Sequence, residues 1–322
     1  MASVVCTLFE GSYHIGVAVL INSLYNNGYR GDVYAGYKGS LPHWTDQAVQ
    51  VEGEVAGTKK LTVNSDLSVY FLPVDTKYHL TNYKPDFMLG LLNGYGKNAD
   101  AVFYYDPDIV QQAPWSFMDE WVNCGVAVCE DVNSPVEEYN PKRVFWRTYF
   151  KGYGQELSFK TNIYVNGGFV GVHRNSLAFL EHWKQVQENM AHDIGGLEIA
   201  IFNKGKKIPS GKMNNFYAFG KTDQDALNAT IELHDGAVSF QRKEAMGFGP
   251  GLTLMPHAVG GDKPWNKRIL TSWLKKGSKP SSVDKAYWEN ASGIITVYSL
   301  GKLKTQKMKL KLVAFLSRFY SK

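Results

Sequence analysis

The chain has no apolar run long enough to cross a bilayer, so no spanning helix is expected. Cysteine is scarce. The three present, Cys6, Cys124 and Cys129, are an odd number, and their spacing fits no zinc motif. A disulfide framework is therefore excluded, and reduced thiols in a cytosolic protein are expected. The start lacks the basic region of a secretory leader, and Ser3–Phe9 reads as a strand instead. Internal repeats and low-complexity linkers are missing too. Acids are absent from the segment Gly301–Lys322, which holds Lys302, Lys304, Lys307, Lys309, Lys311, Arg318 and Lys322. Those seven charges exceed the net +5 of the whole chain, so the remainder is slightly acidic. Nucleic-acid binding by the body of the protein is not expected on that balance.

What is present points to a folded domain. Of 322 residues, 44% are hydrophobic and 20% charged, enough for one large core. Aromatic residues reach 14%, with 19 Tyr and 8 Trp, which suits both a dense core and a pocket that stacks on rings.

The periodicity alternates between strands and helices. Strands are expected at Ser3–Phe9, Asp32–Gly36, Leu67–Leu72, Ala101–Tyr105 and Gly125–Cys129. A further strand, Asn162–Val172, is interrupted by Asn166-Gly167-Gly168. Helices are expected at Tyr13–Asn27, Lys84–Leu92, Asn175–Met190 and Thr222–Ile231, and Pro85 suits a first helical turn. Residues Gly247–Arg268 are rich in Gly and Pro and read as loop. This alternation predicts an open α/β sheet with its binding site at the carboxyl ends of the strands.

Two carboxylates, Asp106 and Asp108, follow the buried strand Ala101–Tyr105 directly. In an extended chain residues two apart face the same side. Paired carboxylates make a hard-oxygen site for Mn²⁺ or Mg²⁺, and such an ion also bridges phosphate oxygens. Asp-Pro-Asp is equally good turn chemistry. The string Asp106-Pro107-Asp108-Ile109-Val110 also fits aspartyl-phosphate phosphatases, but those carry it after their first strand. Far along the chain lies His257-Ala258-Val259-Gly260-Gly261-Asp262-Lys263-Pro264-Trp265. A neutral imidazole can complete a metal site, Gly260 and Gly261 admit close approach to a phosphate, and Lys263 offers a charge to a diphosphate.

The pattern H-x-x-G-x-x-K-P-W, with the acidic pair, resembles glycosyltransferase family eight and its GT-A relatives. The resemblance covers roughly residues 3 to 268. It implies a single-domain α/β GT-A fold with a mixed, mostly parallel sheet over residues 1–300; the spacing of apolar and basic residues after it predicts a basic amphipathic helix over 301–322. It implies that Asp106, Asp108 and His257 hold Mn²⁺ (or Mg²⁺), with Lys263 and Gly260 at the diphosphate of a nucleotide-sugar donor, UDP-linked by family likeness. Thr222–Asn228 resembles the family's D-Q-D-x-L-N helix, which assigns Asp223, Gln224 and Asp225 to the reacting sugar. Asp223 and Asp225 lie two apart on a helix and do not share a face. Asn166 and Gly167 match a segment that lines the acceptor pocket. Thr7, Glu10, Gly11, Tyr13, Lys84 and Tyr105 are further donor-site candidates, although the family's acid–x–asparagine pair near the first strand is absent.

Transfer with retention of configuration follows from the likeness, whereas inversion requires a carboxylate base, for which Asp225 is the candidate. The implied acceptor is a glycan or lipid-linked sugar in polysaccharide, lipopolysaccharide or capsule assembly. A sugar nucleotidyltransferase and a non-catalytic carbohydrate-binding protein on the same fold remain as alternatives. Nothing in Asn123–Phe159 is assigned beyond an acceptor-facing insertion. In the tail, Met308, Leu312, Phe315, Leu316 and Phe319 share a helical face flanked by lysines. That face suits either an anionic membrane surface on the cytoplasmic side or packing onto the domain.

Overall fold

The structure, a computed structural model, describes residues 1–53, 55–200, 217–277 and 279–319; the side chain of Lys276 lies outside this set. Among the described residues nine strands form one sheet in the order β3-β4-β5-β2-β1-β6-β8-β7-β9. They are β1 (Ser3–Glu10), β2 (Gly31–Lys38), β3 (Val49–Gln50), β4 (Lys59–Thr62), β5 (Leu67–Pro73), β6 (Ala101–Tyr105), β7 (Val126–Glu130), β8 (Val165–His173) and β9 (Val238–Gln241). The centre, β5-β2-β1-β6, is parallel, whereas β8 runs antiparallel between β6 and β7. Alternation along β1 assigns its residues to the two faces. Val4, Cys6 and Leu8 enter one core layer, and Val5 and Phe9 enter the other.

Helices cover both faces, as a buried parallel sheet requires. On one side lie α2 (Lys84–Asn93), α4 (Pro141–Lys151), α5 (Leu177–Ile194) and α6 (Thr222–Leu233). On the other lie α1 (His14–Asn26) and α3 (Trp115–Val122). A third cluster, built on Trp265, Tyr287, Trp288 and Val313, joins the outer side of α1 to α7 (Ile269–Lys276), α8 (Ser282–Asn290) and α9 (Leu300–Leu316). The expected strands and helices thus all occur, with ends shifted by a few residues. The sequence reading missed the short strands β3, β4 and β9 and the helices α3, α4, α7 and α8. Their apolar residues are too few or too irregular to set a period.

Two local features place the site. The ladder between β7 and β8 slips from Val128↔Val170 to Glu130↔Val165. The surplus residues, centred on Asn166-Gly167-Gly168, form a bulge, which is the interruption expected from the sequence. The second feature is a short pairing of the chain after β6 with a distant loop. Ile109 bridges His257, Val110 N donates to Pro256 O at 3.1 Å, and Ala258 N donates to Asp108 O at 3.1 Å. This zipper carries the imidazole to the carboxyl end of β6.

The tail forms α9, but its packing face differs from the one expected. Leu303, Leu310 and Val313 are buried against α7 and α8, while Met308, Leu312, Phe315 and Phe319 stay exposed and Leu316 is half-buried. Two apolar stripes share this helix, and the periodicity does not say which one docks. Lys322 lies outside the described residues. Among the described residues no helix is long and apolar enough to cross a membrane. All three cysteines are free, Cys6 and Cys129 buried and Cys124 exposed.

Candidate functional site

A cavity of about 660 Å³ opens at the carboxyl ends of β1, β6 and β7, beside the amino end of the antiparallel β8. Asp106 and Asp108 form one wall. They do not reach it by strand alternation. The chain turns after Tyr105, with Ile109 N donating to Asp106 O at 3.1 Å, and the turn brings both carboxylates inward. Gly16, in the first turn of α1, makes room for it. A Cβ there would stand 2.1 Å from the Pro107 carbonyl oxygen.

His257 Nε2 lies 3.2 Å from Asp108 Oδ1 and 3.8 Å from Asp106 Oδ2. One ligand atom from each of the three residues falls within 4.8 Å of the others. The imidazole is oriented from behind. Asn166 Oδ1 lies 3.1 Å from His257 Nδ1 and accepts the Gly168 N–H at 2.9 Å, while Asn166 Nδ2 donates to Asp131 Oδ2 at 2.7 Å. Those two outer bonds fix which end of the amide is oxygen. Nδ1 therefore carries a proton, and Nε2 is the ring nitrogen that faces the carboxylates. Gly168 permits this approach, since a Cβ there would meet His257 Cε1 at 2.5 Å. Two carboxylates and one imidazole suit Mn²⁺ or Mg²⁺ by ligand type and count.

Both acids are already balanced by lysines. Lys263 Nζ donates to Asp108 Oδ2 and to Ala258 O, and stands 5.8 Å from the Tyr13 ring centroid. Burial alone would raise the Asp108 carboxyl, but His257 and Lys263 beside it hold it well below the usual carboxylate range. Lys84, with 1% of its side chain exposed, reaches Asp106 Oδ1 at 3.2 Å and Asp223 Oδ2 at 2.9 Å.

Of the other expected residues, Glu10, Tyr13, Asn166, Gly167, Asp223, Gln224 and Gly260 line the cavity. Gln224 is held by its Oε1, which accepts the Gly167 N–H at 3.2 Å, while its buried Nε2 has no partner. That amide is an orphan donor in the wall of the cavity. Several expectations are corrected. Asp225 is fully buried outside the cavity, where Tyr164 Oη donates to it at 2.6 Å, Lys142 Nζ at 3.2 Å and the Lys221 N–H at 2.7 Å. With every lone-pair direction taken, it is not placed to serve as a base. Thr7 is fully buried within β1, and Gly11 turns outward to solvent. Tyr105 points into the opposite core layer and donates to Gln111 Oε1, so its neighbour Tyr104 lines the cavity instead. Lys84 sits behind the carboxylates and does not border the cavity itself.

Sequence reasoning missed Asp131, which lines the cavity at the end of β7. Burial would raise its carboxyl, but hydrogen bonds from Asn166 and Asn133 and the nearby Lys221 ammonium bring it below its ordinary value. The signal was the one that revealed Asp106, an acid immediately after a short buried strand.

No protein-family model matches the chain, and no curated protein does. Solved structures do. The bifunctional glycosyltransferase WbbM aligns over 95% of this chain and 52% of its own, at 15% identity and a TM-score of 0.49. The glycosyltransferase GlyE of Streptococcus pneumoniae aligns over 97% and 64%, at 14% identity and 0.49. The galactosyltransferase LgtC, solved with donor and acceptor sugar analogs, aligns over 94% and 99%, at 13% identity and 0.50. This chain thus spans about half the length of WbbM and under two thirds of GlyE. At such identities the likeness is one of fold. The chain has the mixed α/β glycosyltransferase fold expected from its sequence, with a sheet that is parallel at its centre.

Proposed function

We propose that the protein is a glycosyltransferase that moves a hexose from a nucleotide sugar, UDP-linked by the resemblance above, to a glycan or lipid-linked acceptor in polysaccharide, lipopolysaccharide or capsule assembly. The observation that carries this reading is the convergence of Asp106, Asp108, His257 and Lys263 on one cavity at the carboxyl ends of the strands. Asp106, Asp108 and His257 would hold Mn²⁺ or Mg²⁺, which supplies charge stabilisation to a departing diphosphate. Lys263 shares that task as a point charge. Asp223 and Gln224 border the sugar, and Asp131 and Asn166, beside them in the cavity wall, are the candidates for its hydroxyls. Asp225, the base that inversion was expected to use, is out of reach, so the retaining outcome implied by the resemblance is kept. The test is incubation with a panel of nucleotide sugars and Mn²⁺. Release of nucleoside diphosphate from one of them is expected, and binding without release would reduce the protein to a carbohydrate-binding module.

Lys263 gives this reading a sharper consequence. Its ammonium occupies Asp108 Oδ2, one of the oxygens an incoming cation needs. Lys263→Met is therefore expected to bind Mn²⁺ about tenfold more tightly without donor, and nucleoside diphosphate about tenfold more weakly, by calorimetry. Weaker metal binding in the variant would refute the displacement.

The exposed stripe of α9 fits a membrane surface. Met308, Leu312, Phe315 and Phe319 face solvent beside Lys304, Lys311 and Arg318. Each basic residue near an anionic leaflet contributes about 1 kcal/mol. Co-sedimentation with phosphatidylglycerol vesicles is expected, along with a loss of about tenfold or more in Leu312→Glu/Phe315→Glu. Equal binding to pure phosphatidylcholine would remove the electrostatic part of the idea.

A further inference from the structure

The face of α4 carries a strip of aromatic rings that the catalytic site does not use. Phe145, Tyr149 and Tyr153 recur every four residues, one turn apart. Phe145 and Tyr149 are stacked at 5.6 Å with 17° between planes, Tyr149 and Tyr153 lie 5.3 Å apart, and Tyr153 is stacked on His192 at 5.9 Å and 14°. The hydroxyls of Tyr149 and Tyr153 are 3.2 Å apart and form a polar seam along the rings. Packing does not hide them: Phe145 is 39% and Tyr153 40% exposed. Tyr139, just ahead of the helix, is 79% exposed. Rings this large on the surface of a soluble domain mark a binding surface when they are contiguous.

The strip lies beside the cavity wall. Phe145 packs on Phe219 at 5.7 Å, and Lys221, two residues on, lines the cavity and pairs with Asp131. Lys142, at the start of α4, pairs with Asp225, next to Gln224 in the cavity wall. Exposed Val132 borders the same mouth. Asp131 and Gln224 thus lie on the strip's side of the cavity.

We propose that this strip is an extended acceptor track, which holds the sugar units of a glycan beyond the one that reacts. Sugar rings present apolar C–H faces edged by hydroxyls, and flat tyrosine and phenylalanine rings edged by hydroxyls complement both. The rings step 5.6 Å from Phe145 to Tyr149 and 5.3 Å on to Tyr153, in the turn that follows α4, a span longer than a single sugar ring. Most of the positive charge on α4 is balanced internally: Lys142, Arg143 and Arg147 are each committed to Asp225 or Glu232, and Lys151 at its end is exposed. A lipid surface fits less well, because α4 belongs to the helix layer on the sheet face opposite α1, and α9 packs with the cluster on the outer side of α1.

The proposal rests on the transferase reading, and its test separates the two. Arrayed neutral glycans graded in length are probed with the full chain. Binding is expected to strengthen with glycan length. Phe145→Ser and Tyr153→Ala should each weaken capture of the longer glycans about tenfold, leave the shortest unaffected, and leave acceptor-free hydrolysis of the nucleotide sugar unchanged. Tyr153→Trp, which keeps a flat ring, should retain the length dependence. Binding that ignores length, variants that lose short and long glycans alike, or capture of anionic vesicles or RNA through these rings in place of glycans would overturn it. Failure of the wild type to cleave any nucleotide sugar would strike the transferase reading, whereas the array reads the strip by itself.

Discussion

Asp108→Asn is expected to lower Mn²⁺-dependent release of nucleoside diphosphate by about 10³-fold, equivalent to ~4 kcal/mol of transition-state stabilisation. The substitution keeps the shape of the side chain and removes one ligand charge. It also frees Lys263, whose ammonium donates to the same carboxylate. Asp108 is 5% exposed, and its second oxygen faces His257 Nε2 at 3.2 Å, so solvent offers no replacement ligand. Asp225→Asn is the matched control. That carboxylate is buried too but lies outside the cavity, and its loss should change turnover by no more than about threefold. Circular dichroism on both variants would verify folding. Full turnover in Asp108→Asn, or with EDTA in the wild type, would refute the metal role. A collapse in Asp225→Asn with the fold intact would restore that residue as a candidate base.

How much of this was legible in the sequence depends on the range of the interaction involved. Asp106 stood out because a run of five apolar residues stops on it, and that is a local signal. His257 was located only through the pattern it shares with a family. The pairing of Ile109 with His257 joins segments far apart in the chain, and no periodicity encodes it. Asp223 and Asp225 illustrate the limit of helical spacing. Their separation says they diverge, and only the packed structure says that Asp223 takes the cavity while Asp225 goes to Tyr164 and Lys142. Thr7, Gly11 and Tyr105 failed for the same reason: proximity in sequence to a strand end does not choose a face. On α9 both apolar stripes are legible and the docked one is not. That choice rests on the complementary surface of α7 and α8.

Lys84→Met is expected to destabilise the protein by about 3–5 kcal/mol, read as a lowered midpoint in urea at pH 7. The ammonium is enclosed and donates to Gly167 O at 2.7 Å and Asp223 Oδ2 at 2.9 Å, with Asp106 Oδ1 at 3.2 Å. Burial alone would lower the lysine, but Asp106 and Asp223 reverse this and push it above its ordinary value. A raised lysine contributes stability that is fully present below the unfolded value of about 10.4 and is lost as pH climbs through the folded one. The contribution is therefore complete at neutral pH. Removing the cation leaves Asp106 and Asp223 facing each other with little solvent between them. The double variant Lys84→Met/Asp223→Asn should recover about 1–2 kcal/mol, because one of the stranded charges is gone. A single-variant loss below about 1 kcal/mol would mean that water replaces the ammonium. Lys84 would then not be the element that holds Asp106 and Asp223 in one frame.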